Sequence, residues 1–194
     1  ADPLPMMLVQ IAIGPMNNFS YLVSDGVSGS AAVFDPGFDV DVILSEAENR
    51  GLRIEYVFNT HSHSDHCSGN DDVRRSTNAK IVAHVSAPIY KDLPVVDGSK
   101  VEIGKLEAIA IHTPGHSKDS ICVLMEDKLI TGDTFFVGEC GRTDLKGGNS
   151  GDMYDSLRKI LKLPDNVEIY PGHDYGERPH STLGYERRNN YTLK

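Results

Sequence analysis

The chain has 194 residues, 39% hydrophobic and 24% charged, with 28 acidic against 19 basic side chains and a formal charge of −9. That size and balance fit one soluble domain able to bury a core unaided, and the acidic excess argues against a nucleic-acid partner, which would call for a basic face. Cys67, Cys122 and Cys140 form no disulfide framework, and no apolar run approaches the roughly 20 residues that span a bilayer, so a cytoplasmic protein with no membrane partner is expected.

Ala1-Asp2-Pro3-Leu4-Pro5 lacks the charged and apolar regions of a signal peptide and is set aside as a cloning remnant, leaving 6–194 as a single domain. Residues 7–13, 19–24 and 31–34 read as short strands. Gly14-Pro15, Asp25-Gly26 and Asp35-Pro36-Gly37 punctuate them in the manner of an antiparallel meander. The pattern then changes to helical spacing over 39–50, where Val40, Ile43, Leu44 and Ala47 share a face and Gly51 supplies the stop. Residues 54–59 return to strand, and this alternation implies an α/β layer.

Further on, 70–76 predicts a short helix and 81–83 a buried strand, while 87–93 is ambiguous between helix and turn. Hairpins are expected over 101–103 with 106–111, and over 121–125 with 128–130. Residues 135–151 are rich in glycine and polar side chains and read as a long functional loop. A helix over 152–161, a strand over 167–170 and a closing helix over 183–190 complete the chain.

His61-Ser62-His63-Ser64-Asp65-His66 places three of the eight histidines and a carboxylate within six residues, directly after the apolar run 54–58. Imidazole and carboxylate are the usual ligands of zinc and of non-haem iron. Ligand-type residues recur at later strand ends: His116 in Thr113-Pro114-Gly115-His116, Asp133 after Thr131-Gly132, and His173 in Tyr170-Pro171-Gly172-His173. Loops held at the ends of strands are common sites of function. Five histidines and two aspartates suffice for two ions that share one carboxylate.

These motifs, in this order and at these separations, resemble the metallo-β-lactamase superfamily, and Asp35-Pro36-Gly37 matches it too. The resemblance implies an αββα sandwich, two mixed sheets facing each other with helices outside. It implies that His61, His63 and His116 hold one metal, that Asp65, His66 and His173 hold a second, and that Asp133 bridges them. Two divalent ions are implied, zinc foremost, with iron or a zinc–iron pair compatible.

Within the superfamily, 14–23 (GPMNNFSYLV), 138–142 (GECGR), His173-Asp174-Tyr175 and the tail 181–190 (STLGYERRNN) resemble glyoxalase II-type thioester hydrolases. The implied reaction is attack of a metal-activated hydroxide on a thioester such as S-lactoylglutathione, with Asp133 positioning the ions and Asp65 orienting the nucleophile. Gly141-Arg142-Thr143-Asp144 with His173-Asp174-Tyr175 also resembles persulfide dioxygenases. Those hold a single Fe(II) at positions matching His61, His116 and Asp133, and act on glutathione persulfide or a similar small persulfide.

Arg142 is the candidate for an anionic group of the substrate, with Lys146 as a helper from the same loop. A salt bridge to Asp144 is the alternative for Arg142. Tyr175 matches a tyrosine that contacts the thiol portion, with simple packing as its alternative. A homodimer is expected from related folds. Cys67, Cys122 and His84 read as structural, His112 as an outer hydrogen-bond partner of the site, and His180 as exposed.

Overall fold

The side-chain alternation along each strand sorts the molecule into layers. In β2 (Asn18–Ser24), Tyr21 and Val23 face one way and Leu22 the other; in β3 (Ser30–Phe34), Ala32 and Phe34 oppose Ala31 and Val33. Successive side chains of a strand point to opposite faces, so a strand buried along its whole length, as β2 and β3 are, must be covered on both sides. The computed structural model describes residues 2–194; Ala1, the first of the residues set aside above, lies outside them.

β1 (Met7–Ile13), β2 and β3 form the antiparallel meander, and α1 (Val40–Asn49) returns the chain so that β4 (Arg53–Phe58) lies parallel to β3. The single turn α2 (Ser64–Cys67) and α3 (Asn70–Thr77) follow. β5 (Lys80–His84) and β6 (Leu93–Val95) then complete a six-stranded sheet in the order β1-β2-β3-β4-β5-β6.

The second sheet starts with the hairpins β7 (Lys100–Ile103) with β8 (Leu106–His112) and β9 (Ile121–Met125) with β10 (Lys128–Gly132). A small hairpin, β11 (Phe135–Phe136) with β12 (Glu139–Cys140), precedes α4 (Ser150–Ile160). β13 (Glu168–Pro171) joins β10 in parallel, and β14 (Ser181–Thr182) and α5 (Leu183–Asn189) close the chain before a 3-10 turn, Tyr191–Leu193. The order is β14-β13-β10-β9-β8-β7.

Phe34, Phe58, Tyr21, Val23 and Val82 of the first sheet pack against Ile103, Leu106, Ile121, Met125 and Ile130 of the second. On the outer face of the first sheet, Ile43 and Ala47 of α1 and Val73 of α3 cover Leu22, Val33, Val57 and Ile81. On the outer face of the second, Met153, Leu157 and Ile160 of α4 and Leu183 of α5 cover Cys122, Leu129 and Ile169. The architecture is therefore αββα.

Leu4, within the stretch set aside on sequence grounds, packs against the inter-sheet layer. The ambiguous segment 87–93 is turn and bend leading into β6, an edge strand that tolerates Pro94 because one side of an edge has no ladder to lose. The loop expected over 135–151 contains the β11–β12 hairpin. Its last residues belong to α4, which starts at Ser150 because the Asn149 side chain accepts from the Asp152 N–H at 2.9 Å.

Candidate metal centre

Five segments deliver side chains to one end of the sandwich. β3 ends in Asp35, β4 in Asn59, Thr60 and His61, the β8–β9 turn supplies His116, and β10 and β13 end in Asp133 and His173. The parallel pairing of β10 with β13, which sets Gly132 opposite Pro171, places the last two ends side by side. His63 is the residue preceding α2, and that helical turn carries Asp65 and His66.

The result is two groups. Ligand atoms of His61, His63 and His116 lie within 4.8 Å of one another, as do those of Asp65, His66, Asp133 and His173. Asp133 Oδ2 reaches both: it is 3.6 Å from His61 Nε2, 3.5 Å from His116 Nε2 and 3.3 Å from His66 Nε2. Its other oxygen, Oδ1, lies 2.9 Å from His173 Nδ1, while His173 Nε2 is 3.1 Å from Asp65 Oδ2.

Three imidazoles are oriented from behind through their second nitrogen. His66 Nδ1 meets Asp35 Oδ2 at 2.9 Å, His116 Nδ1 meets the Arg142 carbonyl at 2.9 Å, and His61 Nδ1 meets Thr60 Oγ1 at 3.1 Å. Thr60 in turn donates its hydroxyl to Asp35 Oδ2 at 2.6 Å and its N–H to Asp35 Oδ1 at 2.8 Å. Such outer partners fix the ring and leave Nε2 free to face inward. Asn18 does the same for Asp65, donating Nδ2 to Oδ2 at 3.0 Å and to the carbonyl at 3.2 Å.

Nε2 of His61 and of His66 are buried and have no hydrogen-bond partner among the described residues. Leaving a buried nitrogen unpaired is costly, and a cation held by these imidazoles and carboxylates removes that cost. The electrostatics agree. Burial opposes the charge on Asp133, yet His66, His173 and His61 outweigh it and hold the carboxyl well below the ordinary range. Asp65 is half-buried, which opposes its charge, and is held down by His173, His66 and Asn18. Burial pushes His61 down, reinforced by His66, whereas His66 itself is shifted up against burial by Asp133 and Asp35. Two ionised carboxylates beside inward-facing imidazole nitrogens make a donor set that fits divalent cations.

Two glycines let the backbone close in. A Cβ on Gly37 would overlap the Asp65 carbonyl oxygen, and one on Gly141 the Asp133 carbonyl oxygen. Above the ligands lies a cavity of about 350 Å³ lined by His63, Asp65, His116, Asp133, His173 and by Met16, Phe136, Glu139, Cys140, Arg142, Leu145 and Tyr175.

The structure separates the expected substrate residues. Tyr175 stacks on His173, with ring centroids 4.6 Å apart and planes 11° from parallel. Arg142 lines the mouth, but its guanidinium is paired with Asp144 through Nε–Oδ1 at 2.6 Å and Nη2–Oδ2 at 2.8 Å. Lys146 is exposed and lies outside the cavity lining: the turn closed by Gly148 N–H to the Leu145 carbonyl presents Leu145 instead.

Cys122 is fully buried, its thiol pushed up to about 11 by burial, and Cys67 donates to the Ser62 carbonyl at 3.4 Å. His84 stacks on His112 at 4.0 Å, and His112 Nε2 contacts the Lys118 carbonyl at 2.8 Å, steadying the turn that carries His116. Asn18, Thr60, Met16 and Phe136 carried no ligand-type signal in the sequence. Asn18 does fall within the 14–23 stretch, and Asp35 within a turn already singled out.

The Metallo-beta-lactamase superfamily profile matches residues 13–173, which include all seven ligand-type residues. The chain belongs to the metallo-β-lactamase superfamily. The fold and its two His/Asp groups support binding of divalent metal. Among individual relatives, the hydroxyacylglutathione hydrolase of Rhodospirillum rubrum is 39% identical over 166 residues, covering 82% of this chain and 63% of that protein. The chain thus spans less than two thirds of that relative's length. The probable polyketide biosynthesis zinc-dependent hydrolase PksB of Bacillus subtilis is 30% identical, covering 90% of this chain and 81% of that protein. The crystal structure of ETHE1 from Myxococcus xanthus superposes with a TM-score of 0.91 at 34% identity, covering 95% of this chain and 83% of that one. No helix among the described residues is long and apolar enough to cross a membrane.

Proposed function

We propose that the protein is a metal-dependent hydrolase of the glyoxalase II type that cleaves a thioester, S-lactoylglutathione or a related acyl-thiol. The observation that carries the reading is the position of Asp133, whose Oδ2 lies within 3.6 Å of ligand nitrogens from both groups and so suits a carboxylate shared by two ions. The likeness to hydroxyacylglutathione hydrolases supports the choice of bond.

Two divalent cations, zinc in this reading, would supply a lowered water pKa and electrophilic stabilisation of the carbonyl oxygen. The remaining work belongs to the chain. His61, His63 and His116 would hold one cation, Asp65, His66 and His173 the other, and Asp133 lies where it can serve both. Asp65, kept ionised and steered by Asn18, orients the attacking water. Water adds across the acyl–sulfur bond: a C–O bond forms, the C–S bond breaks, and sulfur leaves as a thiolate that needs no strong acid. Tyr175 and Arg142, at the cavity mouth, contact the thiol portion.

A second reading is a mononuclear-iron persulfide dioxygenase. It is favoured by one feature, the face made by His61, His116 and Asp133, in which Nε2 of each imidazole lies within 3.6 Å of Asp133 Oδ2. Two assays separate them. Thiol release from lactoylglutathione without oxygen uptake on glutathione persulfide is expected; the reverse pattern would establish the dioxygenase.

A further inference from the structure

The cavity above the ligand groups is walled unevenly. Its floor is made of the ligands, but its wall is Phe136 and its rim is Met16, Leu145 and Tyr175. The three rim residues come from three separate segments: the β1–β2 turn, the loop before α4 and the turn after β13. Met16 is 49% exposed, Leu145 40% and Tyr175 56%. A single exposed apolar side chain requires no explanation. Convergence of three on one opening is different, because contiguous exposed apolar surface marks a place where ligand is covered.

That apolar wall is continuous with the reacting position. Tyr175 stacks on the ligand His173, Phe136 lies edge-on to the same ring at 5.9 Å, and Phe136 and Tyr175 meet at 5.2 Å. Positive charge is scarce by comparison. Among the described residues, Arg142 is the one lysine or arginine in the cavity lining and is engaged by Asp144, while the other charged wall residue is the carboxylate of Glu139. A carbonyl seated over the ligands therefore has hydrocarbon and aromatic surface beside it, and little to recognise a polar substituent.

We propose that the natural substrate carries an apolar group of about four or more carbons adjacent to the reacting carbonyl, seated against Phe136, Met16, Leu145 and Tyr175. This rests on the thioester-hydrolase reading and narrows it: a thioester lacking such a group is a poorer substrate than one that carries it. The group belongs to the acyl side or to the thiol side of the bond, and the test distinguishes the two. In either case water supplies the oxygen of the new carboxylate, and the C–S electron pair leaves with the thiol.

The test uses the metal-loaded full chain and two substrate series read by thiol release. One holds N-acetylcysteamine constant and varies the acyl group from acetyl through butyryl to hexanoyl; the other holds acetyl constant and lengthens an alkyl thiol. Each methylene well buried by the wall is worth up to about fourfold, so kcat/KM is expected to rise by about tenfold or more across one series, naming the side. Leu145→Ser and Met16→Ser each flatten that gradient by about threefold or more, whereas Tyr154→Ser, at an exposed position on α4, leaves it intact. Flat series on both sides overturn the proposal. Calorimetry with non-hydrolysable thioethers decides it independently of turnover: an S-hexyl compound binding about tenfold or more tighter than its S-methyl counterpart supports it, and equal affinity overturns it. Absence of turnover on every thioester instead overturns the hydrolase reading alone.

Discussion

Asp35 shows how much of the centre depends on residues that bear no ligand. It is buried, sits at φ 53°, and accepts from Thr60 N–H, Thr60 Oγ1 and His66 Nδ1, so one carboxylate orients ligands of both groups. Asp35→Asn retains the shape but replaces one acceptor oxygen by a donor. It is expected to lower metal affinity by about 10–100-fold, the usual scale for losing an outer partner, measured by competition with a chromogenic chelator. Unchanged affinity would mean that Thr60 and the backbone suffice.

A second buried aspartate makes a prediction about pH. Asp25 is fully buried at the first hairpin's exit, where burial favours its neutral form. The N–H groups of Lys105, Val27 and Ser28 and the Ser28 hydroxyl outweigh that and hold its carboxyl well below the ordinary range. A carboxyl depressed in the folded state contributes stability that is present above its unfolded pKa of roughly 4 and lost as pH falls through the folded value. Asp25→Asn should therefore cost about 2 kcal/mol at pH 7, with the gap to wild type narrowing below pH 4 in urea unfolding. A gap independent of pH would assign the cost to packing.

At the scale of elements, the centre depends on how closely loops approach one another. The loop after β12 can pass the Asp133 carbonyl only because position 141 has no side chain. Gly141→Ala must displace either the β10 end or the loop that supplies the His116 partner carbonyl of Arg142. Backbone displacement of this kind is expected to cost about 2–4 kcal/mol and to abolish turnover while the far-ultraviolet spectrum is retained. Full activity in this variant would show that the loop is free to move. The opposite end of the same hairpin is pinned by α5: Glu186 Oε1 accepts from Gly138 N–H at 2.7 Å, and Asn190 Nδ2 donates to the Phe136 and Glu139 carbonyls at 3.3 Å.

Elements with a strong repeating pattern were legible in the sequence, and short ones were not. Strands such as β1 and β8, and helix α1, follow from alternation or helical spacing over seven to ten residues. β6, β11, β12 and β14 have two or three residues each, too few to show a period, and are held by neighbours rather than by their own pattern. α2 was hidden for the same reason, since the four residues Ser64–Cys67 make a single turn; its Asp65 and His66 fall in the second ligand-type group. The ligand-type residues were visible because their side chains recur at strand ends. The apolar rim was not, because Met16, Leu145 and Tyr175 come to line one cavity only when three turns distant in sequence converge.

At the scale of the whole molecule, the sandwich is a rigid support that gathers strand ends, and the ligand groups lock those ends together. Metal held by residues that only the fold brings together would bind the folded state more tightly than the unfolded chain, which stabilises the fold by mass action. Saturation at about 100 times Kd should add about 2.7 kcal/mol, seen as a rise in Tm on zinc addition and a fall on chelation. The same treatment of a His61→Ala, Asp133→Ala double variant should leave Tm nearly unmoved.

The most direct measurement of the central claim is metal content together with turnover, on protein purified without added metal. About two zinc ions per chain are expected, with thiol release from S-lactoylglutathione; His61→Ala should lose the ion of the His61, His63 and His116 group and, with it, turnover. A single iron per chain, oxygen uptake on glutathione persulfide and no thiol release from any thioester would contradict the claim.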